Sequence, residues 1–300
     1  MKSWLFLILI SLPFSVWANA LVSNFCDQWY LSFPNSKNVQ PKLNVEKVYK
    51  TIEEWRVSKF RNQLQVKKIG QAEGENLLRL NLPSSNPLAK KILITAGVHG
   101  NEPFGVTALM EFIEKTVFDQ ALRNQYDFVF LPMLNPKGLK LSTRLTGENI
   151  DLNRTFSTGE EIQASKIVEE NLTGEKFDLA IDLHGSNIRE GFFIISSKNA
   201  DPMLALKTIQ NFEPQFILQS TSGNYPDLIP SVTDPTKIAY RLIEPGIATS
   251  YNQGTLKDFF VNGLKVENAF TFEYPGQISV FDRQSQYVKL IQNMIKALNP

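Results

Sequence analysis

The 300-residue chain contains only two histidines, and each follows a short apolar run. His99 comes after the run 92–96, Glu102 follows three residues later, and His184 ends the run 177–183. Two imidazoles and a carboxylate are the ligand set of a hydrolytic zinc site with an open fourth position. These residues therefore predict a site for one zinc ion. Taken alone, His99 has a plainer explanation as a buried turn histidine.

Hydrolysis at such a site also needs a group that accepts a proton. A zinc ion lowers the pKa of a bound water towards about 7, and a nearby carboxylate can take up the proton and pass it to a leaving nitrogen. Glu273 follows the apolar run 269–272 and so ends a predicted strand. We predict that it is the general base, with an ordinary surface residue at a strand end as the alternative.

Two arginines and an aspartate precede the His184 run. Arg144 and Arg154 carry guanidinium groups, which bind a carboxylate in bidentate fashion. Asp151 is positioned to orient a metal-bound imidazole. Their simpler alternatives are solvated loop charges for the arginines and a turn cap for Asp151.

The elements that must position these residues alternate between strands and helices. Apolar periodicity and turn residues predict helices over 44–60, 103–115, 160–172, 202–212 and 284–298, a hairpin of 63–69 with 76–82, a long polar loop over 137–156, and strands over 91–96, 126–133, 177–183, 191–196 and one ending at 273. The polar candidates lie just past strand ends. This pattern predicts a single α/β domain with a mixed, mostly parallel central sheet, flanked by helices and carrying its site at the carboxyl edge.

Residues 1–20 have the features of a secretory signal peptide. Lys2 precedes an apolar stretch, and the small residues Ala18 and Ala20 form a cleavage signature. We predict cleavage after Ala20, a periplasmic or secreted location, and no stable membrane anchor, because the apolar stretch is short for a span of about 20 residues. The predicted organisation is a signal peptide over 1–20, an N-terminal extension with a helix over 21–62, and a catalytic domain over 63–300.

Charge and cysteine content narrow the functional classes. Removal of residues 1–20 takes away one lysine and leaves 30 basic and 30 acidic residues. A chain without basic excess is not expected to bind nucleic acid. Cys26 is the single cysteine, so no internal disulfide can form.

Six ordered motifs connect these observations to a known family. HGNE, NPKG, STR, IDLNRTF, DLHG and FTFEYPG occur in that order between about residues 63 and 285. Together they resemble the zinc carboxypeptidases of the carboxypeptidase A type, including bacterial peptidoglycan peptide amidases. A lone HxxE would be weak, but six motifs in order are specific.

The resemblance implies a role for each matching residue. His99, Glu102 and His184 match the zinc ligands, Glu273 the general base, and Asp151 the partner of the first histidine. Asn153 and Arg154 match the pair that binds the terminal carboxylate of the substrate, and Arg144 resembles the arginine that stabilises the oxyanion. Tyr251, twenty-two residues before Glu273, matches the family's mobile tyrosine, although Tyr240 and Tyr225 are nearby.

Substrate preference is less defined by the sequence. Asp258 falls where the family's side-chain pocket is determined if residues are counted from Tyr251, and a carboxylate there would favour a basic or amino-bearing residue such as diaminopimelate. Aligning the turn at Gly254 instead brings Leu256 or Lys257 to that position. The two alignments remain open.

These expectations lead to one main hypothesis and two alternatives. The main one is an exported zinc metallopeptidase that hydrolyses the amide bond next to a C-terminal carboxylate, with peptide substrates that include muropeptides. The second is an N-acyl amino acid deacylase resembling aspartoacylase and succinylglutamate desuccinylase, which share HxxE, DLNR and DLH. The third is a carbohydrate- or peptide-binding protein that has lost its chemistry.

Overall fold

The fold is described from a computed structural model of the chain. It describes residues 29–32, 41–58, 60, 62–159, 162–186, 189–219, 228–230, 238–249, 253–276 and 278–298. The predicted signal peptide, Tyr225 and Tyr251 lie outside these residues. Within the described part of the chain, no helix is long and apolar enough to cross a membrane.

Twelve strands and eight α-helices make up the regular structure of the described residues. The strands are β1 (Tyr30–Ser32), β2 (Lys42–Leu43), β3 (Gln65–Ala72), β4 (Glu75–Leu82), β5 (Lys90–Ala96), β6 (Tyr126–Leu131), β7 (Leu179–Ser186), β8 (Phe193–Ser196), β9 (Leu228–Pro230), β10 (Ile238–Glu244), β11 (Ile247–Thr249) and β12 (Ala269–Pro275). The helices are α1 (Val45–Val57), α2 (Pro103–Phe118), α3 (Gln120–Gln125), α4 (Pro136–Leu141), α5 (Gln163–Leu172), α6 (Pro202–Gln210), α7 (Leu256–Asp258) and α8 (Val280–Leu298).

Ten of the strands form one mixed sheet in the order β3-β4-β6-β5-β7-β12-β8-β11-β10-β9. Its central strands β6, β5, β7 and β12 are parallel, and antiparallel strands lie towards both edges. The parallel strands are almost wholly buried, which agrees with their continuous apolar runs and with helices on both faces. The predicted α/β class with a mixed central sheet is confirmed.

Two apolar layers cover the two faces of the sheet. The larger contains side chains of α1, α2, α6 and α8, including Phe104, Phe112, Tyr287 and Ile291. The smaller lies under α5 and α7 and includes Val168 and Phe260. The central strands are thus fixed on both faces, and the loops at their carboxyl ends start from a rigid base.

Most predicted helices and strands are present, with shifted ends. The predicted hairpin is formed by β3 and β4, but its turn lies at Glu73 and Gly74, both with positive φ, and Gly70 is within β3. The prediction of a continuous loop over 137–156 is wrong for its beginning, because α4 covers Pro136–Leu141. Pro136 suits a first helical position, and the Asn135 side chain accepts a hydrogen bond from the backbone of Gly138 at 2.9 Å.

Candidate metal centre

His99 and Glu102 lie in the turn between β5 and α2. Gly97 leaves the strand with a φ of +70°, and a Cβ atom there would crowd Val106 and Leu139. The backbone N–H of Glu102 lies 3.3 Å from the carbonyl oxygen of His99, and α2 begins with Pro103. The tight turn therefore directs both side chains towards the carboxyl edge of the sheet.

His184 and Glu273 lie on neighbouring parallel strands in the same register. His184 of β7 is the direct partner of Glu273 in β12. The Tyr287 hydroxyl of α8 lies 2.9 Å from the carbonyl oxygens of both His184 and Phe272, which ties the two strands together beneath the site. The sheet thus places the second histidine and the candidate base side by side.

The three predicted metal ligands converge. His99 Nδ1 lies 2.8 Å from Glu102 Oε1, and His184 Nδ1 lies 3.0 Å from Glu102 Oε2 and 3.1 Å from His99 Nδ1. All three side chains are buried, and one ligand atom of each lies within 4.8 Å of the others. Two imidazole nitrogens and a carboxylate gathered around one point can hold a metal ion.

The opposite ring nitrogens of the histidines support this assignment. His99 Nε2 lies 3.3 Å from Asp151 Oδ1, and His184 Nε2 lies 2.6 Å from Asp182 Oδ2. A carboxylate at one nitrogen keeps the proton there and leaves the lone pair of the other nitrogen free for a metal. Both rings thus present Nδ1 to the same point, and the donor set fits a zinc ion.

Electrostatics in the cluster favour an ionised carboxylate. Burial alone would raise the pKa of Glu102, but the two imidazoles outweigh it and hold this pKa well below its usual range. The backbone N–H of Gly185 also donates to Glu102 Oε2 at 3.0 Å. An ionised, oriented carboxylate is the form that binds a cation.

Asp182 is a site residue that the sequence analysis missed. It lies two positions before His184 in β7, so both side chains are on the same face of the strand. Its Oδ1 accepts a hydrogen bond from the Thr95 hydroxyl at 2.7 Å, while Oδ2 faces the imidazole. The DxH spacing was the available signal, since alternate residues of a strand share a face.

Arg144 and Asp151, two of the predicted site residues, lie beside the cluster. Arg144 Nη2 lies 3.0 Å from Asp151 Oδ2, and its Nη1 lies 3.3 Å from His99 Nδ1 and 3.7 Å from Glu102 Oε1. Burial would raise the pKa of Asp151, but His99 and the two arginines lower it well below the usual range. The aspartate thus orients an imidazole and a guanidinium at once.

Asn153 and Arg154 form the short 3₁₀ turn Leu152–Arg154 on the other side of Asp151. The Asn153 Nδ2 atom lies 3.5 Å from His184 Nε2, and its Oδ1 accepts a hydrogen bond from the backbone of Leu256 at 2.8 Å. Arg154 Nη1 donates to the carbonyl oxygen of Asn153 at 2.7 Å. This turn therefore connects the histidine cluster to the start of α7.

Two ionisable groups close to the cluster have strongly shifted pKa values. Burial raises the pKa of Glu273 to about 8, with Glu102 adding to the rise and His184 and Arg144 opposing it. Burial lowers the pKa of Lys257 to about 7, and Glu273 is the largest charge opposing that shift. Such shifts are common among groups that do chemistry or bind charged ligands.

Asp258 lies one residue beyond Lys257, and its contacts are within its own turn. Oδ2 accepts a hydrogen bond from the backbone of Gly254 at 3.2 Å, and Oδ1 accepts one from the Asn262 side chain at 2.5 Å. Both oxygens therefore stabilise the turn around α7. The predicted role of Tyr251 falls on a residue outside the described part of the chain.

Comparison with known sequences identifies a catalytic-domain family. The sequence model of the succinylglutamate desuccinylase/aspartoacylase catalytic domain matches residues 89–297. This range is more than half of the chain and includes the entire cluster. A search of curated proteins found no significant match.

Solved structures share the fold at low identity. A candidate metallopeptidase from Shewanella amazonensis SB2B has a TM-score of 0.67 and 18% identity, over 85% of this chain and 93% of that chain. A metallo-carboxypeptidase from Burkholderia cenocepacia has a TM-score of 0.64 and 17% identity, over 87% and 70%. Carboxypeptidase A from Helicoverpa armigera has a TM-score of 0.64 and 14% identity, over 94% and 80%. The predicted carboxypeptidase-like fold is confirmed.

Proposed function

Because the chain belongs to the succinylglutamate desuccinylase/aspartoacylase family and has the carboxypeptidase-like fold of a metallohydrolase, we propose that it is an exported zinc metallopeptidase. Its reaction is hydrolysis of the amide bond next to a C-terminal carboxylate. The convergence of His99, Glu102 and His184 around one point is the observation that carries the proposal.

The three ligands would hold one zinc ion. When bound, zinc supplies a Lewis acid and lowers the pKa of a water molecule at the site. Asp151 and Asp182 lie against the Nε2 atoms of the two rings and would hold a proton there, so each Nδ1 atom would offer its lone pair to the ion.

Glu273 moves the protons in this mechanism. It is the register partner of His184 on the adjacent strand, and we propose that it takes a proton from the attacking water. It then protonates the leaving nitrogen, which prevents the amine from leaving as an anion. Burial raises the pKa of Glu273, and a cation held by the three ligands would lower it again, so both the ionised form and the protonated form that the two steps need are accessible.

The side chains of Arg144, Asn153 and Arg154 supply the remaining polar contacts to the substrate in this proposal. The guanidinium of Arg144, beside the cluster, stabilises the negative charge that develops on the carbonyl oxygen. Asn153 and Arg154 bind the terminal carboxylate of the substrate, which fixes the scissile bond relative to Glu273. Tyr251 is proposed to close over the bound end of the peptide.

Peptidoglycan stem peptides are the proposed substrates. The signal-like residues 1–20 support export, with cleavage after Ala20 and a periplasmic or secreted location. Stem peptides are abundant there and end in a free carboxylate, and a muropeptide digest therefore offers the natural range of substrates.

The test is a Glu273→Gln variant of the zinc-loaded protein. We expect hydrolysis of a muropeptide digest, followed by mass spectrometry, to fall by about 10³-fold because general-base catalysis is lost. Zinc content, measured by elemental analysis, should stay at one ion per chain. The exposed Glu267→Gln variant serves as the charge-matched control. Full activity of Glu273→Gln contradicts the assigned base, and absence of zinc from the wild-type protein contradicts the metal site.

The family match supports a second candidate function, a deacylase of small N-acyl amino acids. The fold neighbours and the signal-like N-terminus favour the peptidase. Parallel assays with N-acyl amino acids and with short peptides separate the two, since a deacylase would cleave only the former.

A further inference from the structure

Tyr287 is a buried residue of α8 that the proposed mechanism does not use. Its side chain is fully buried, and its hydroxyl lies 2.9 Å from the carbonyl oxygen of His184 and 2.9 Å from that of Phe272. A tyrosine hydroxyl has one proton to donate, so the two carbonyl oxygens share it. The hydroxyl thus bridges β7 and β12 at the point where both strands reach the metal cluster.

The first carbonyl belongs to the peptide group between His184 and Gly185. The N–H of the same peptide group donates to Glu102 Oε2 at 3.0 Å. A trans peptide group is planar, and its C=O and N–H point in opposite directions, so a contact that fixes the carbonyl also orients the N–H. Tyr287 therefore holds one end of the peptide group whose other end orients a predicted metal ligand.

The second carbonyl belongs to the peptide group between Phe272 and Glu273. The plane of this peptide group contains the Cα atom of Glu273, from which the side chain of the proposed base starts. Since Glu273 is the direct register partner of His184, the two peptide groups lie side by side. One hydroxyl therefore contacts the backbone of the proposed base and the backbone of a predicted metal ligand.

The ring of Tyr287 is held in place by aromatic neighbours. Its centroid lies 5.7 Å from that of Phe192, just before β8, and 5.6 Å from that of Tyr274, which follows Glu273. The Tyr274 ring also lies against Gly185, where an added Cβ atom would come within 2.2 Å of ring atoms. Close packing of this kind leaves the ring little freedom to move. The hydroxyl is thus presented at a fixed point.

α8 gives Tyr287 a rigid support. One turn before it, Gln284 Oε1 accepts a hydrogen bond from the Thr107 hydroxyl of α2 at 2.6 Å. Towards the end of the helix, the Tyr126 hydroxyl at the start of β6 donates to the carbonyl oxygen of Ile295 at 2.9 Å. The helix that carries Tyr287 is therefore bound both to the sheet and to α2, the helix that follows the first two predicted ligands.

We propose that Tyr287 is a positioning residue, whose hydroxyl keeps the metal ligands and Glu273 in the relative arrangement that catalysis requires. The inference rests on the proposed function, and it adds a residue that touches neither the substrate nor the ion. Because a phenylalanine ring fills the same place, loss of the hydroxyl should leave the fold intact and loosen this arrangement. A misplacement of about 1 Å is enough to slow a reaction by about 100-fold.

The experiment compares two Tyr→Phe variants with the zinc-loaded wild type. Tyr287→Phe removes the bridging hydroxyl. Tyr126→Phe is the matched control, because it removes another buried hydroxyl that donates to a backbone carbonyl, at the amino edge of the sheet. kcat and KM are measured at saturating zinc with the muropeptide that the wild type cleaves fastest. We expect Tyr287→Phe to lower kcat by about 10- to 100-fold with KM changed less than about twofold, and Tyr126→Phe to keep both values.

Thermal unfolding separates positioning from a general loss of stability. Each variant loses one buried hydroxyl, so we expect a similar decrease in Tm of about 1–3 °C for both. A decrease in kcat that is confined to Tyr287→Phe supports the inference. Equal kcat in the wild type and Tyr287→Phe, or the same decrease in both variants, overturns it and leaves the proposed peptidase function intact.

Failure of the proposed function has a different signature, because the zinc-loaded wild type would then cleave none of the muropeptides. Zinc affinity, measured by competition with a chelator, decides the inference in that case. Since the N–H of Gly185 orients Glu102, we expect Tyr287→Phe to bind zinc about 10-fold more weakly than the wild type, and Tyr126→Phe to bind it equally well. Unchanged affinity in Tyr287→Phe, or the same decrease in both variants, overturns the inference.

Discussion

Each imidazole of the cluster is held between two carboxylates. Glu102 faces the Nδ1 atoms of both rings, while Asp151 and Asp182 face their Nε2 atoms. With an ion bound at the Nδ1 atoms, the two aspartates would keep the orientation of the rings and hold each remaining proton on Nε2. At the scale of single residues, the metal site depends as much on these aspartates as on the ligands.

Replacing Asp182 by asparagine should weaken metal binding. The amide cannot stabilise the Nε2 proton of His184 as a carboxylate does, so we expect zinc affinity to fall by about 10- to 100-fold. Titration of the protein with a competing chelator measures the affinity. Asp201→Asn, at the N-cap of α6, is the control, because asparagine caps a helix as well as aspartate does. Unchanged affinity in Asp182→Asn would show that the contact is only structural.

The candidate ligands, Asp151 and Arg144 could be predicted from the sequence, but Asp182 and Lys257 could not. His99, Glu102 and His184 are residue types that bind metal ions, and both histidines follow apolar runs, so the sequence alone indicates a metal site. Asp182 lies within an apolar strand, and although its spacing places it on the same face as His184, the sequence does not show that the two side chains are in contact. Lys257 resembles an ordinary surface lysine until the fold buries it against the carbonyl groups of β8.

At the scale of elements, the turn after β5 is packed against the start of α4. A Cβ atom on Gly100 would overlap the backbone of Gly138, and one on Gly138 would overlap the Asn135 side chain and the carbonyl of Leu145. The two loops approach so closely that glycine is required at both positions. This contact fixes the position of His99 relative to the 144–154 segment.

A Gly100→Ala substitution should therefore disturb both stability and the metal site. Since backbone atoms cannot move aside as side chains do, we expect a loss of at least ~2 kcal/mol in the free energy of unfolding, together with weaker zinc binding. Denaturant unfolding and chelator titration measure the two effects. Gly147→Ala is the control, because the atoms nearest to its added Cβ belong to the flexible side chains of Glu73 and Lys137. Equal stability of the two variants would contradict the packing argument.

Individual elements were predicted well where one apolar run makes one strand. The runs at 91–96, 126–133 and 177–183 correspond to β5, β6 and β7. Their order in the sheet was not predictable, because β12 lies between β7 and β8 although it comes last in the chain. α4 was missed because its six residues are too few to show a helical period.

At the scale of the whole molecule, the proposed metal site joins two adjacent strands at the centre of the sheet. His99 and Glu102 follow β5, and His184 belongs to β7, so an ion bound by all three joins neighbouring elements. An ion that binds the native state and not the unfolded state stabilises the fold.

Metal removal should therefore lower the Tm. With free zinc about 1,000-fold above Kd, the stabilisation is about 4 kcal/mol, which corresponds to roughly 6–7 °C in Tm for a chain of this size. Thermal unfolding with zinc and with a chelator measures the difference. A His184→Ala variant should show a much smaller shift, and an equal shift in both proteins would contradict binding at this cluster.

The central position of β12 also has a consequence for biosynthesis. The ribosome makes residues 269–275 after all the other strands of the sheet. This segment must nevertheless enter between β7 and β8. If Glu273 is the base, as proposed, no hydrolysis can occur before β12 has been synthesised and inserted beside β7.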